Sequence, residues 1–201
     1  MTAPVSSGTQ GASKQKRSGP RTILEYVVLA VVAVAVALLI QAFLVKPYRI
    51  PSPSMEDTLL IGDRVLVDRV SWRFSEPRRG DIVVLHSPVP PSPVLIKRIV
   101  GMPGDTVSLK GGAVYINGQR LDEPYVKRVD GRSEPTEPFP TGLPWSLQQP
   151  YQVPADSYFL MGDNRTDSGD SRAFGAVARG RLVGRAFGRY WPPGRIGGLG
   201  Q

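Results

Sequence analysis

The chain has 201 residues, of which 41% are hydrophobic, and a formal net charge of +8 at pH 7. It contains no cysteine, which excludes disulfides, thiol catalysis and cysteine metal sites. It contains a single histidine, His86, which leaves little for a histidine metal site, so we expect no metal and no cofactor. The positive charge comes without a basic helix, a zinc pattern or interleaved aromatic and basic residues, so we expect anionic membrane lipid as a partner and no nucleic acid.

The N-terminal part of the sequence predicts a membrane anchor. Residues 1–22 contain basic but no acidic side chains and are predicted to be a disordered basic cytoplasmic tail. Residues 23–45 are predicted to form a transmembrane helix, because 26–45 carry no charge and would span about 30 Å as a helix. A cleaved signal peptide is the alternative, but the apolar run continues past its alanine-rich centre.

Charge bias then predicts the topology. Four basic residues precede the apolar run and only Lys46 and Arg49 follow it closely, which indicates a cytoplasmic N-terminus in a single-pass protein of the plasma membrane. Residues 46–201 would form one extracytoplasmic catalytic domain. Trp72 and Phe74 are predicted at a loop tip, either partly buried in the core or dipping into the lipid interface.

Residues 46–201 predict a mainly β fold of antiparallel sheets. Short β-rich runs (RVLVDRV, DIVVLHS, VLIKRIVG, DTVSLK and AVYINGQRL) are separated by Gly and Pro, and Asn117-Gly118 is a typical hairpin turn. Residues 122–155 contain seven prolines and many polar residues, which predicts an irregular insertion on the surface of the β domain.

The densest chemical signal is the segment IPSPSMEDTLLIGD. Pro51 and Pro53 favour an extended backbone that presents Ser52 and Ser54, and Ser54 is the candidate nucleophile. Ser52 and Ser54 are two residues apart, and an extended strand does not by itself bring their side chains together. A site shared by both serines therefore requires a local turn at Met55. A Pro/Ser-rich linker is the alternative, but the strand-like run RVLVDRV follows directly.

A serine nucleophile needs a base, for which the sequence offers two candidates. His86 follows a strand and no acidic residue lies in a triad-like motif, which favours a structural histidine. Lys97 is flanked by Leu95, Ile96 and Ile99, and burial on a strand would lower its pKa and make a neutral amine available. An ordinary exposed lysine is the alternative.

Three segments together resemble type I signal peptidases, the membrane-bound serine/lysine endopeptidases that remove signal peptides from exported preproteins. They are IPSPSMEDTLLIGD, KRIVGMPGD and GDNRTDSGDSRAFG, and RGDIVV resembles a fourth segment. Their order, their spacing and the preceding apolar run extend the resemblance over residues 23–190. It implies a signal-peptidase-like β domain, cleavage after a small-X-small motif, exported preproteins as substrates and the secretion machinery as a partner.

The resemblance also implies residue roles. Ser54 would attack the scissile carbonyl, Lys97 would take its proton, and the Ser54 backbone N–H with the Ser52 hydroxyl would hold the oxyanion. The supporting residues would be Ser168, which orients the lysine amine, together with Asp163 and the ion pair of Asp170 with Arg172. The substrate pocket would be lined by Tyr48, Ile50, Pro51, Met55, Leu59, Val65, Val84, Leu95 and Ile96.

Some features depart from this pattern or allow other interpretations. Pro53 replaces a small residue, Asp57 stands where proline is common, and no role is assigned to the insertion. From its residues alone, GDNRTDSGDSR could be a polar turn or a calcium-like loop. The competing functions are a self-cleaving serine/lysine protease and a non-catalytic membrane-anchored binding or scaffold protein. The intact Ser54 and Lys97 argue against the second of these.

Overall fold

The computed structural model describes residues 20–70 and 74–199. The chain divides into two units, Met1–Leu39 and Ile40–Gln201. Residues 1–19 of the predicted tail, and Trp72 of the predicted loop tip, lie outside the described residues, whereas Phe74 is highly exposed.

The described part of the first unit, residues 20–39, lies in one helix, α1 (Pro20–Phe43), whose last residues belong to the second unit. Its described side chains, residues 23–38, are all exposed and largely apolar. Among the residues that the structure describes, no helix combines the length and the apolar character needed to cross a membrane.

The second unit is mainly β, as predicted, and all of its strand pairs are antiparallel. Its strands are β1 (Val45–Arg49), β2 (Arg64–Asp68), β3 (Ile82–His86), β4 (Val94–Gly101), β5 (Thr106–Lys110), β6 (Ala113–Ile116), β7 (Gln119–Arg120), β8 (Arg128–Val129), β9 (Arg132–Ser133), β10 (Tyr151–Gln152), β11 (Ser157–Met161), β12 (Val177–Ala178), β13 (Leu182–Trp191) and β14 (Gly197–Gly198). A short helix, α2 (Ser171–Phe174), and three 3₁₀ turns at Pro144–Ser146, Arg179–Arg181 and Pro193–Arg195 complete the described elements.

The described strands form three sheets. The large sheet has the order β1-β2-β13-β3-β4-β11-β12, with β14 beside β13. A smaller sheet has the order β10-β5-β6-β7, and β8 pairs with β9 alone. The large sheet therefore places β3 and β4 near its middle and leaves β1 at one edge.

Sequence alternation explains the large sheet locally. In β2, Val65 and Val67 are completely buried while Arg64 is exposed, so the predicted half-buried strand is confirmed. These valines belong to an apolar cluster that also contains Ile50, Met55 and Leu59. The cluster supports the chain segment that follows β1, and the candidate nucleophile lies in this segment.

Two hairpins show the turn chemistry that sequence can reveal. Asn117-Gly118 joins β6 to β7 with φ of 52° and 80°, which confirms the predicted turn. Asp130-Gly131 joins β8 to β9 with φ of 51° and 77°, inside the region predicted to be irregular. Residues 122–155 also supply β10 to the smaller sheet, so this region is more ordered than its proline content indicated.

Candidate active site

Ser54 lies in a compact loop, residues 51–62, which we call the nucleophile loop. The loop closes where the Ile50 backbone N–H donates to the Asp63 carbonyl at 2.9 Å and the Gly62 N–H donates to the Ile50 carbonyl at 2.9 Å. Within it, the Leu59 N–H donates to the Met55 carbonyl at 2.8 Å. The predicted turn at Met55 is thus confirmed.

The same turn brings the two serines of the loop together. The Glu56 N–H donates to the Pro53 carbonyl at 3.0 Å, which curls the backbone around Ser54. The hydroxyl oxygens of Ser52 and Ser54 lie 3.4 Å apart. Ser54 is 6% exposed, so the residue is almost completely buried.

Lys97 meets this hydroxyl from strand β4. Its Nζ donates to Ser54 Oγ at 2.7 Å, and the residue is 3% exposed. In the register of the sheet Lys97 stands opposite Val83 of β3, which is completely buried. Desolvation by these surroundings lowers the pKa of Lys97 from 10.5 to about 8, although the negative charges of Asp170 and Asp163 act in the opposite direction.

Arg98, the next residue along β4, is also buried, but it is fully paired. Its Nε and Nη2 donate to the two carboxylate oxygens of Asp163 at 2.8 and 2.7 Å. The Thr58 hydroxyl donates to the same carboxylate at 2.6 Å, and the Tyr125 ring lies with its centroid 3.9 Å from the guanidinium carbon. Asp163 therefore links β4 to the nucleophile loop through Thr58.

Residues 162–170, which we call the acidic loop, hold the backbone next to Ser54. Asn164 donates from its backbone N–H to the Ser54 carbonyl and from its side-chain amide to the Pro53 carbonyl, each at 3.2 Å. A Cβ at Gly162 would lie 2.4 Å from the Ser54 carbonyl oxygen and 2.3 Å from Ser168 Oγ. Glycine at this position is what permits the close approach of the two loops.

Asp170 and Arg172 form a buried ion pair at the start of α2. Arg172 donates to the Asp170 carboxylate from Nε at 2.9 Å and from Nη2 at 2.8 Å. The other contacts of Asp170 are to backbone: the Gly162 N–H at 3.1 Å and the Arg172 N–H at 3.1 Å. Both predicted acidic residues of the loop are thus engaged by arginine, which leaves neither carboxylate arranged as in a calcium loop.

Ser168 is buried beside these groups. It is 6% exposed, and its Oγ forms no hydrogen bond with any residue that the structure describes. His86, the other candidate base, ends β3 with an exposed side chain and stands opposite Val94. The described hydrogen bonds of the Ser54 hydroxyl run to Lys97 and Ser52 instead.

A largely apolar cavity of about 410 Å³ opens next to Lys97. Six of the predicted pocket residues line it, namely Tyr48, Ile50, Pro51, Val84, Leu95 and Ile96, and Arg49, Ser52, Pro93, Val94 and Lys97 complete its wall. Met55, Leu59 and Val65 do not reach this wall. They are completely buried in the apolar cluster because they occupy the inner side of the Met55 turn and of β2.

Four further residues shape the site and were not predicted from the sequence: Thr58, Arg98, Tyr125 and Asn164. Arg98 carried a signal, because an arginine beside a buried lysine on a strand must find its own partner on the opposite face. The partners themselves are 65 residues apart in the sequence, Arg98 and Asp163, and no local pattern joins them.

Comparisons with known proteins agree with the motifs. A family model described as signal peptidase, peptidase S26, matches residues 23–191. Signal peptidase I of Leptolyngbya laminosa is 40% identical over 94% of this chain and 89% of its own. Signal peptidase I T of Bacillus subtilis (strain 168) is 37% identical over 96% of both chains. A crystal structure of a signal peptidase I from Enterococcus faecalis V583 is 34% identical, covers 55% of this chain and 97% of its own, and has a TM-score of 0.47.

Proposed function

This chain belongs to the signal peptidase family, peptidase S26, and on that premise we propose that Ser54 and Lys97 are its catalytic dyad. As a signal peptidase it is a serine endopeptidase that removes signal peptides from exported preproteins. The observation that carries the dyad assignment is the 2.7 Å contact between Lys97 Nζ and Ser54 Oγ, made by a lysine that is only 3% exposed.

In the proposed mechanism, Ser54 Oγ attacks the carbonyl carbon of the scissile bond while its proton passes to the neutral amine of Lys97. The oxyanion accepts hydrogen bonds from the Ser54 backbone N–H and the Ser52 hydroxyl. The resulting ammonium of Lys97 then protonates the leaving amine, and the carbon–nitrogen bond breaks. Water hydrolyses the Ser54 ester in the second half, with Lys97 again taking the proton and returning it to Ser54 Oγ.

Burial supports Lys97 as the base. A pKa of about 8 leaves a substantial neutral fraction near neutral pH, whereas an exposed lysine would be almost entirely protonated. We assign Ser168 the role of orienting the neutral amine, since its hydroxyl is buried and forms no hydrogen bond with any described residue. Asp163 and Asp170, paired with Arg98 and Arg172, would brace the site.

The cavity beside Lys97 would hold the residues that precede the cut. Strand β1 pairs only with β2 in the described sheets, and residues 94–97 of β4 pair only with β3. Each strand therefore offers unpaired backbone groups to an extended peptide, which is how strand addition binds its ligands. Small pockets between Ile50 and Ile96 would favour alanine-sized residues at the first and third positions before the cut.

Purified full-length protein and one secretory precursor test this function. We expect wild type to produce the mature form with an N-terminus directly after the small-X-small motif, and Ser54→Ala to produce none. Replacing either small residue of the precursor by phenylalanine should prevent cleavage. If wild type binds the precursor without cutting it, the protein is a non-catalytic binding protein, and cleavage only within its own chain would indicate the self-processing alternative.

We further propose that residues 23–45 anchor the protein in the plasma membrane with the N-terminus in the cytoplasm, in proximity to the secretion machinery. The proposal rests on the uncharged run 26–45 and on the basic residues that precede it. Protease added to intact spheroplasts should digest residues 46–201. Protection of this domain, with digestion of the N-terminal tail alone, would reverse the topology, and recovery of the protein without membranes would refute the anchor.

A further inference from the structure

We propose that residues 123–136, which we call the brace, position the nucleophile loop, and that Lys127 and Glu56 are positioning residues of the site. The brace lies in the proline-rich region to which the sequence assigned no role. This inference deepens the proposed function and rests on it, because it concerns how Ser54 is held for attack.

The brace is fixed at both of its ends to the acidic loop. Arg165, which is 2% exposed, forms an ion pair with Glu123 at the start of the brace and donates to Thr136 Oγ1 at 2.6 Å at its end. The Thr166 hydroxyl donates to the Glu134 carboxylate at 3.1 Å. Because these contacts are largely buried, the brace moves with the acidic loop rather than as a free surface hairpin.

The brace also contacts the nucleophile loop directly. Lys127 donates from its backbone N–H to the Asp163 carbonyl at 3.0 Å and from Nζ to the Glu56 carboxylate at 3.2 Å. The Arg128 N–H donates to the Asp57 carboxylate at 3.3 Å. Glu56 and Asp57 are the second and third residues after Ser54, so these contacts act on the turn that presents the nucleophile.

A third contact acts on the same loop through the buried ion pair. Tyr125 of the brace covers the Arg98 guanidinium, whose partner Asp163 accepts the hydrogen bond of Thr58. The loop is therefore held on successive residues, 56, 57 and 58, by groups that the brace supplies or covers.

This arrangement has a kinetic consequence. The hydroxyl of Ser54 must lie within reach of both the base and the substrate carbonyl, and a misplacement of about 1 Å can cost on the order of 10²-fold in rate. A partial release of the turn at Glu56 would disturb this alignment and leave the cavity beside β1 and β4 unchanged. The brace should therefore affect kcat much more than KM.

Charge reversal and its rescue test the inference in the full-length protein. Lys127→Glu places a carboxylate against Glu56 and Glu134, which lie 3.2 and 3.9 Å from the lysine Nζ. We expect kcat on a peptide substrate to fall roughly tenfold with KM nearly unchanged. The pair Lys127→Glu with Glu56→Lys restores opposite charges and should recover most of the loss. Lys110→Glu, the same charge change at the exposed end of β5, is the matched control and should have no effect.

The outcomes separate the inference from the proposed function. Wild type that cleaves while Lys127→Glu retains full kcat overturns the inference alone. It is also overturned if the loss lies in KM, or if a fall in the unfolding midpoint accounts for the loss and the paired reversal gives no rescue. Should Lys127→Glu not fold, Lys127→Met removes the charge without repulsion and is expected to lower kcat by roughly threefold. Inactive wild type would overturn the proposed function itself.

Discussion

Two neighbouring residues of β4, Lys97 and Arg98, show how this fold treats buried positive charge in opposite ways. Both are at most 3% exposed. Arg98 receives a bidentate carboxylate, whereas Lys97 is hydrogen-bonded to the neutral hydroxyl of Ser54. A buried cation that has its counterion stays charged and holds the structure together, and one whose nearest partner is neutral is driven towards deprotonation. The same strand thus supplies a structural cation and, in our proposal, a base.

The largest expected effect is the loss of activity when Lys97 is replaced by residues that cannot act as a base. We expect Lys97→Met and Lys97→Arg each to lower kcat/KM by at least about 10⁴-fold, because arginine keeps the charge but cannot lose its proton in the working range. Cleavage of a peptide substrate by folded variants measures this. His86→Ala is the control, and inactivity of that variant at unchanged folding would restore the histidine as the base.

On the other side of the comparison, Arg98→Met should act chiefly on stability. The change leaves the Asp163 carboxylate buried without its ion-pair partner, which typically costs about 3–5 kcal/mol in the free energy of unfolding. Urea unfolding of the variant measures the loss. Glu76→Gln, which removes an exposed ion pair with Arg179, should cost less than about 1 kcal/mol, and equal losses for both variants would contradict the distinction.

A substitution at Ser52 measures how much its hydroxyl, which lies beside Ser54, stabilises the transition state. If the Ser52 hydroxyl holds the oxyanion, Ser52→Ala should lower kcat by roughly 10²- to 10³-fold with little change in KM. Steady-state kinetics on one peptide substrate separates the two parameters. A loss found mainly in KM would place Ser52 in substrate binding.

The smallest expected effect is a shift in pH dependence. Since the neutral amine is the active form, kcat/KM should rise with pH through a group with a pKa of about 8. Val83→Thr introduces a hydroxyl opposite Lys97 in the sheet, which lessens the desolvation of the ammonium, raises the pKa and moves the rising limb to higher pH. A limb near 6.5 that does not respond to this change would indicate a histidine base.

The parts of the site that sequence predicts are those that local chemistry fixes. Pro51 and Pro53 indicate a stiff, extended backbone that presents Ser54, and apolar neighbours on a strand indicate that Lys97 is buried. Both residues were therefore candidates from the sequence, and the resemblance to signal peptidases joined them. The hairpin at Asp130-Gly131 carried an equally local signal, although the surrounding prolines obscured it.

The parts that sequence does not predict depend on contacts distant in the chain. Nothing near Arg98 indicates that Asp163 is its partner, and nothing near Tyr125 indicates that its ring covers that pair. Met55 and Val65 were assigned to the substrate pocket by resemblance. Which apolar residues face a cavity and which face the core depends on how the Met55 turn packs on β2, and that is a tertiary property.

The close approach at Gly162 has a consequence for recognising active members among related sequences. The carbonyl of Ser54 occupies space that any side chain at position 162 would need, and a backbone atom cannot rotate away as a flexible side chain can. A sequence could therefore retain its serine and its lysine and still be unable to assemble them, if a single methyl group stood at this position. The serine and the lysine together are therefore not a sufficient signature of an active enzyme. A glycine at position 162 is the third residue that such a signature requires.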